Sequence, residues 1–222
     1  MDILLEDSTT EEIPRLLREM VKKTTTECKT FDSLQKDFLY FLIVVSMVEN
    51  GFVVTNNDFE IIQLTESFTT ELLLGWKSRI GTYEALFVLT GFKTVAKVIV
   101  SPLGATVLVN LVIPELNSET YSVCIPVSRY VVSPQAKSVP MIFRNLKQFS
   151  NMLKNSVVSP AKSSILNYHG YPSASLLGLP EEVLVKIFSN VTSVNPVVKS
   201  GQHLSVPFDT PAVNGDISEY IP

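Results

Sequence analysis

The chain has 222 residues, of which 45% are hydrophobic and 18% are charged, and its formal net charge is −4. Such a composition supplies a domain with a substantial core and excludes an intrinsically disordered protein. The acidic balance and the lack of a basic cluster argue against a nucleic-acid-binding surface. The first residues are acidic instead of basic and apolar, and no membrane-spanning run follows, so we expect a cytoplasmic or nuclear protein with no membrane partner.

Cysteine and histidine are the residue types in which a reactive or metal site would show. Cys28 and Cys124 are predicted to be free thiols in a reducing compartment, and a disulfide between them is the alternative. Cys124 lies between apolar residues with no histidine nearby in sequence, which favours a strand thiol over a nucleophile. His169 and His203 have no cysteine or carboxylate at metal-ligand spacing. The sequence therefore predicts no catalytic residue, no metal and no cofactor.

Two helices are predicted in the first quarter of the chain. Residues 10–23 carry an amphipathic stripe, and residues 32–51 form a longer helix that Asp32 caps and Gly51 ends. From 38 to 48 this helix is apolar all round, but the run is shorter than the roughly 18 residues needed to cross a bilayer. The helix therefore needs protein on two sides, which a sheet together with either another helix or a partner chain would supply.

An antiparallel meander is predicted to follow. An edge strand at 59–64 precedes four strands, at 83–89, at 94–100, at 105–113 and from 121 to 127. Residues 101–104 (SPLG) are predicted to be the turn between the second and third of these four strands.

The strand at 105–113 differs from its neighbours because both of its faces are apolar. One face carries Val107, Val109, Leu111 and Ile113. Leu108 and Val112 lie on the other face, so the strand needs cover on both sides. Helices of the same chain could provide that cover, and a dimer interface is the alternative.

A second long helix is predicted to start at Pro140 and to restart at Ser159 and Pro160, with the serine as a cap. The order of helix, helix, sheet and helix predicts an α+β domain, with helices packed on an antiparallel sheet, at 10–168. A turn-rich linker at 169–177 follows, then a short helical unit at 178–192. The remainder, 193–222, has no periodicity and is predicted to be a disordered tail.

The short helical unit, LPEEVLVKIF at 179–188, resembles the opening helix of an F-box, the module that binds the Skp-type adaptor of cullin-RING ubiquitin ligases. The resemblance implies an adaptor-binding set of Leu179, Pro180, Leu184, Ile187 and Phe188. A complete F-box continues for about two more helices, normally with a Val-Cys-type core and often a Trp, and 192–222 contains neither Cys nor Trp. We therefore expect this chain to bind the adaptor weakly or not at all.

The longer domain resembles the FP domain, which certain F-box-only proteins share with a proteasome inhibitor. The residues that carry this resemblance are Glu49-Asn50-Gly51, Gly75-Trp76, Pro102-Leu103-Gly104 leading into 107–110, and the helix at 144–149. An FP domain followed directly by an F-box start is similar to the Nutcracker-type F-box proteins.

The resemblance implies a non-catalytic subunit of the ubiquitin–proteasome system, linked to ligases of the cullin-RING type and only indirectly to the proteasome. Such a subunit pairs through its FP-like domain with itself or with the FP domain of a proteasome inhibitor. Together with the apolar strand pattern, this places the pairing interface at Val107, Leu108, Val109 and Val112.

Two alternatives stay open. A small hydrolase or transferase would show a pocket with convergent polar groups of perturbed pKa. A structural domain without a partner would be monomeric in solution.

Overall fold

A computed structural model describes residues 3–24, 30–56, 60–62, 75–78, 81–171, 185–187 and 189. The chain divides into two compact units, Met1–Leu179 and Pro180–Pro222. Within the second unit, the described residues 185–187 and 189 are helical. Cys28, the linker from 172 onward and the predicted tail lie outside the described residues.

The first unit has the predicted α+β architecture, with helices on a six-stranded antiparallel sheet. Its helices are α1 (Arg15–Thr24), α2 (Phe31–Glu49), α3 (Val127–Tyr130), α4 (Leu146–Leu153) and α5 (Ser159–Tyr168). Its strands are β1 (Phe52–Thr55), β2 (Ile61–Ile62), β3 (Tyr83–Leu89), β4 (Val95–Leu103), β5 (Thr106–Ile113) and β6 (Glu119–Pro126). The order across the sheet is β2-β1-β3-β4-β5-β6, so the four strands from β3 onward form the predicted meander.

Helix α2 begins one residue earlier than predicted and uses a different cap. The Thr30 side chain accepts a hydrogen bond from the Ser33 N–H at 3.4 Å, so the prediction of Asp32 as the cap was wrong. Asp32 lies instead in the first turn, where its carboxylate complements the helix dipole and pairs with Lys36 at 2.7 Å. Gly51, with φ +89°, takes the left-handed conformation that ends the helix, as predicted.

The apolar surface of α2 is covered from within the same chain. Every residue from Phe38 to Met47 is buried, and the helix packs on α1, α3 and α4 as well as on β1. Sheet and helices together therefore supply the two-sided cover, and a partner chain is not needed for it.

The sheet departs from the prediction at two places. The strand β1 was missed, and β2 is confirmed only at its two described residues, Ile61 and Ile62. The predicted turn at 101–104 was wrong, because β4 and β5 pair as far as Leu103 and Thr106. Pro102 is tolerated there because β3 pairs β4 only up to Val100, so the missing N–H of proline has no second strand to face.

The segment after β6 also folds differently from its prediction. Val127 begins α3 instead of ending the strand, and Pro140 lies in a 3-10 turn, Val139–Ile142, that stops before α4. Helical backbone then runs from α4 through a π-helical segment, Lys154–Val158, into α5. Ser159 lies inside this run with helical dihedrals, so it is not a cap. Pro160 has no N–H for a regular helical bond, and the wide π turn just before it accommodates that loss.

Candidate protein-interaction surface

The strand β5 presents two very different faces. Its buried positions are Val107, Val109, Leu111 and Ile113, each at most 1% exposed. The positions between them, Leu108, Asn110 and Val112, are all partly exposed. We call the sheet surface that carries these three residues the outer face, and the surface toward α2 the inner face.

Cross-strand pairing shows what else lies on the outer face. Leu108 lies opposite Ser101 and Cys124, Asn110 lies opposite Ile99 and Ser122, and Val112 lies opposite Lys97 and Thr120. On β3, Glu84 pairs with Ile99 and Leu86 pairs with Lys97. The outer face therefore mixes partly exposed aliphatic side chains, Leu86, Ile99, Leu108 and Val112, with polar ones on the same four strands.

The polar residues of the outer face are bonded to one another. Lys97 forms an ion pair with Glu84 at 2.7 Å, and the Ser122 hydroxyl donates to the Asn110 side-chain oxygen at 2.7 Å. The Cys124 thiol, which is exposed, donates to the Thr106 hydroxyl at 3.3 Å. An aliphatic centre beside satisfied polar groups is the composition that protein–protein interfaces favour over catalytic sites.

The four residues predicted for the pairing interface do not share one surface. Leu108 and Val112 lie on the outer face, whereas Val107 and Val109 are core residues at 1% exposure each. The pairing prediction is thereby restricted to Leu108 and Val112, because a partner could reach the two valines only by opening the core.

The F-box-like residues are described only in part. Ile187 is partly exposed and its neighbour Val185 is 60% exposed, both in helical backbone. Leu179, Pro180, Leu184 and Phe188 lie outside the described residues.

A buried polar cluster joins α2 to the segment before β3. Asp37 is 4% exposed, and its Oδ1 accepts from Lys77 Nζ at 2.7 Å and from the Tyr83 hydroxyl. Lys77 also donates to the Ser33 hydroxyl at 3.0 Å. Burial, followed by the charge of Asp37, raises the pKa of Tyr83 well above its ordinary value, so Tyr83 remains a donor.

Among the described residues, this cluster is the arrangement most similar to the convergent polar groups that a hydrolase or transferase would need. A serine beside a lysine resembles a nucleophile and its base, but that base must be a neutral amine. Here the Lys77 nitrogen donates to the Ser33 hydroxyl and is paired with the Asp37 carboxylate, so it is not placed to accept the serine proton. The arrangement therefore has a structural role, because its hydrogen bonds hold the residues around Trp76 against α2.

A shallow depression of about 520 Å³ lies between the β5–β6 turn and α5, and Glu119, Ser164 and Tyr168 are among its lining residues. The Tyr121 hydroxyl donates to Glu119 at 2.6 Å and lies 2.6 Å from the Ser164 hydroxyl. Hydrogen bonds from Tyr121 and then Ser164 lower the pKa of Glu119. These polar groups are engaged in tying β6 to α5.

Two further properties bear on the class of protein. Among the described ranges, no three His, Cys, Asp or Glu side chains gather where they could hold a metal ion. Within the same ranges, no helix combines the length and the apolar character that a membrane crossing requires.

The chain is similar to protein nutcracker of Drosophila melanogaster. The two are 33% identical over 96 residues, which are 41% of this chain and 31% of nutcracker. The chain thus corresponds to about a third of the length of nutcracker, and the resemblance to Nutcracker-type proteins is supported over that part. No known protein-family profile matches the chain.

Sequence reasoning missed the residues of β3 and β4 that contribute to the outer face, namely Glu84, Leu86, Lys97 and Ile99. The sequence signal was the charge of Glu84 and Lys97 within apolar strands, whereas Ile99 is as apolar as the buried Val98 and Val100, and only the structure shows that it is partly exposed. Asp37 was missed as well, although a lone carboxylate at the edge of an apolar helical run indicates a buried partner.

Proposed function

We propose that this chain is a non-catalytic interaction subunit of the ubiquitin–proteasome system. It pairs through its FP-like domain with a second copy or with the FP domain of a proteasome inhibitor, and it carries the start of an F-box. The similarity to nutcracker supports the F-box-related setting. The observation that carries the pairing is the partly exposed aliphatic surface at Leu108 and Val112 on the outer face.

The physical reason for pairing is the apolar area that Leu108, Val112, Ile99 and Leu86 leave in contact with water. Burying an aliphatic side chain contributes about 1.5 to 3 kcal/mol, and association costs on the order of 4 to 15 kcal/mol. Four such side chains contribute together at most about 6 to 12 kcal/mol, which exceeds the lower estimates of that cost but not the highest ones. The Lys97–Glu84 pair at the side of this group gives the contact a defined orientation.

The test is analytical ultracentrifugation of the whole chain, alone and mixed with a proteasome-inhibitor FP domain. We expect association in at least one mixture, and we expect the double variant Leu108→Glu with Val112→Glu to be a folded monomer. Gln135→Glu, which adds a charge at an exposed loop position, is the matched control and should associate like the wild type. If the wild-type chain is monomeric and does not bind the inhibitor domain, the result would support the alternative that the chain is a structural domain without a partner.

The F-box-like helix is tested separately, by titration calorimetry with the Skp-type adaptor. Burying Leu184, Ile187 and Phe188 supplies at most about 4.5 to 9 kcal/mol together, which covers only the lower part of the range of association costs. We expect weak binding or none, and a submicromolar Kd would contradict this part of the proposal.

A further inference from the structure

The N-terminal 3-10 turn, Leu5–Asp7, is fixed to the fold at two places. The side chain of Leu5 is fully buried, and the turn packs on α4. Its backbone is held by Glu49, the last residue of α2, because the Leu5 N–H donates to Glu49 Oε1 at 2.9 Å. One carboxyl group therefore links the start of the chain to the end of the central helix.

The position of this carboxyl group is unfavourable for a negative charge. The carboxyl end of a helix carries the negative end of its dipole, and Glu6 and Asp7 of the docked turn add two more carboxylates. Burial is the largest effect and raises the pKa of Glu49 to about 7. The Leu5 hydrogen bond opposes this rise, and repulsion by Glu6 and Asp7 adds to it.

Basic groups are also present on the elements packed around α2. Lys162 of α5 donates to the carbonyl oxygen of Asn50 at 3.3 Å. Beneath the turn, α4 carries the exposed Lys147, and the partly exposed Lys154 follows it. The other elements packed on α2 carry Arg15, Arg18, Glu19, Lys22 and Lys23 on α1 and Arg129 on α3, while β1 has no charged residue.

We propose that Leu5–Asp7 is a pH-sensitive latch, docked on α2 and α4 while the Glu49 carboxyl is protonated and released when that carboxyl ionises. Release exposes the apolar Leu5 side chain together with the part of α4 that the turn covers. The device is independent of the outer face, and its failure would leave the proposed pairing untouched.

The direction follows from linkage. Undocking returns Glu49 to water, where its pKa falls from about 7 toward 4.5. The docked state therefore binds the proton more tightly, so its advantage is complete below pH 4.5 and is lost as the pH rises through 7. Because Glu49 is only partly buried, we expect the docking equilibrium constant to fall by about tenfold between pH 5 and pH 8.

The experiment is nuclear magnetic resonance of the full chain between pH 4 and pH 9, following the Leu5 amide proton and the Glu49 carboxyl carbon. The Leu5 amide shift should move from its docked value with the same midpoint as the Glu49 carboxyl, and this midpoint should lie clearly above 4.5. Glu49→Gln keeps the acceptor oxygen without the charge, so Leu5 should remain docked across the whole range. Glu115→Gln, at an exposed position in the β5–β6 turn, is the matched control and should behave as the wild type.

Glu6→Gln combined with Asp7→Asn keeps the turn but removes its charges, and should lower the midpoint of both signals. The proposal is overturned if the Glu49 carboxyl titrates near 4.5, or if Leu5 remains docked while Glu49 ionises. It is equally overturned if Leu5 is released with the same midpoint in Glu49→Gln.

Discussion

The inner and outer faces of the sheet use the same strands but serve different purposes. On β5, the inner residue Val109 is 1% exposed, while its direct neighbour Leu108 on the outer face is partly exposed. The polar contacts differ in the same direction: the Asp37 and Lys77 side chains are 5% and 27% exposed, whereas those of Glu84 and Lys97 are 50% and 36% exposed. The difference teaches that similar residues and similar bonds contribute unequally to stability, depending on the face they occupy.

The largest expected effect comes from placing a carboxylate on each face of β5. Val109→Glu buries an unpaired charge at a cost of several kcal/mol, comparable with a total stability of about 5 to 15 kcal/mol, so the variant should be unfolded. Leu108→Glu should change the free energy of unfolding by about 1 kcal/mol or less. Urea denaturation followed by circular dichroism measures both. If Leu108→Glu also unfolds, the outer face is part of the fold and not a free surface.

Neutralising one acid of each ion pair should give the next largest difference. Asp37→Asn leaves the Lys77 ammonium without its counter-charge near the core, and we expect a loss of about 1 to 3 kcal/mol. Glu84→Gln removes a pair whose side chains are 36% and 50% exposed, so the loss should be about 0.5 kcal/mol or less. Thermal melting at low and high salt distinguishes them. Equal losses in the two variants would contradict the comparison.

Tyr40 and Tyr83 sharpen the comparison, because removing their hydroxyl groups should change the free energy of unfolding differently. Tyr40 and Tyr83 stack with ring centroids 4.7 Å apart. The Tyr83 hydroxyl donates to Asp37, so Tyr83→Phe should cost about 1 to 2 kcal/mol. The Tyr40 hydroxyl is buried and finds no hydrogen-bond partner among the described residues, so Tyr40→Phe should be neutral or stabilise by about 1 kcal/mol. Chemical denaturation of both variants checks the sign.

The smallest effect is expected at Cys124 on the outer face. Its thiol is exposed and makes one weak hydrogen bond, so Cys124→Ser should change the free energy of unfolding by about 0.5 kcal/mol or less. The same thiol reports on pairing, because a partner on the outer face should slow its alkylation. Peptide mass spectrometry at low and high protein concentration measures that rate. An unchanged rate in a sample that is fully associated would place the contact on another surface.

The sequence by itself determined the fold class, the central helix and the four strands of the meander. These features depend on local periodicity and on end signals such as Gly51, which act within a few residues and can be recognised without the rest of the chain. Sequence could not distinguish Thr30 from Asp32 as the helix cap, because either side chain can accept the same backbone hydrogen bonds. The sequence also placed the β4–β5 turn too early, because a proline such as Pro102 usually indicates a turn. A proline is compatible with a strand where only one neighbouring strand is paired with it, and this is the case at Pro102.

Only the tertiary structure decided which apolar residues are available to a partner. The sequence placed Val107, Leu108, Val109 and Val112 together in one interface. The structure buries Val107 and Val109 in the core and leaves Leu108 and Val112 partly exposed. Tertiary contacts likewise brought Asp37 to Lys77 across 40 positions and Leu5 to Glu49 across 44. Such pairs leave no local pattern, because burial and long-range hydrogen bonds depend on how distant segments pack and not on the neighbours of each residue in sequence.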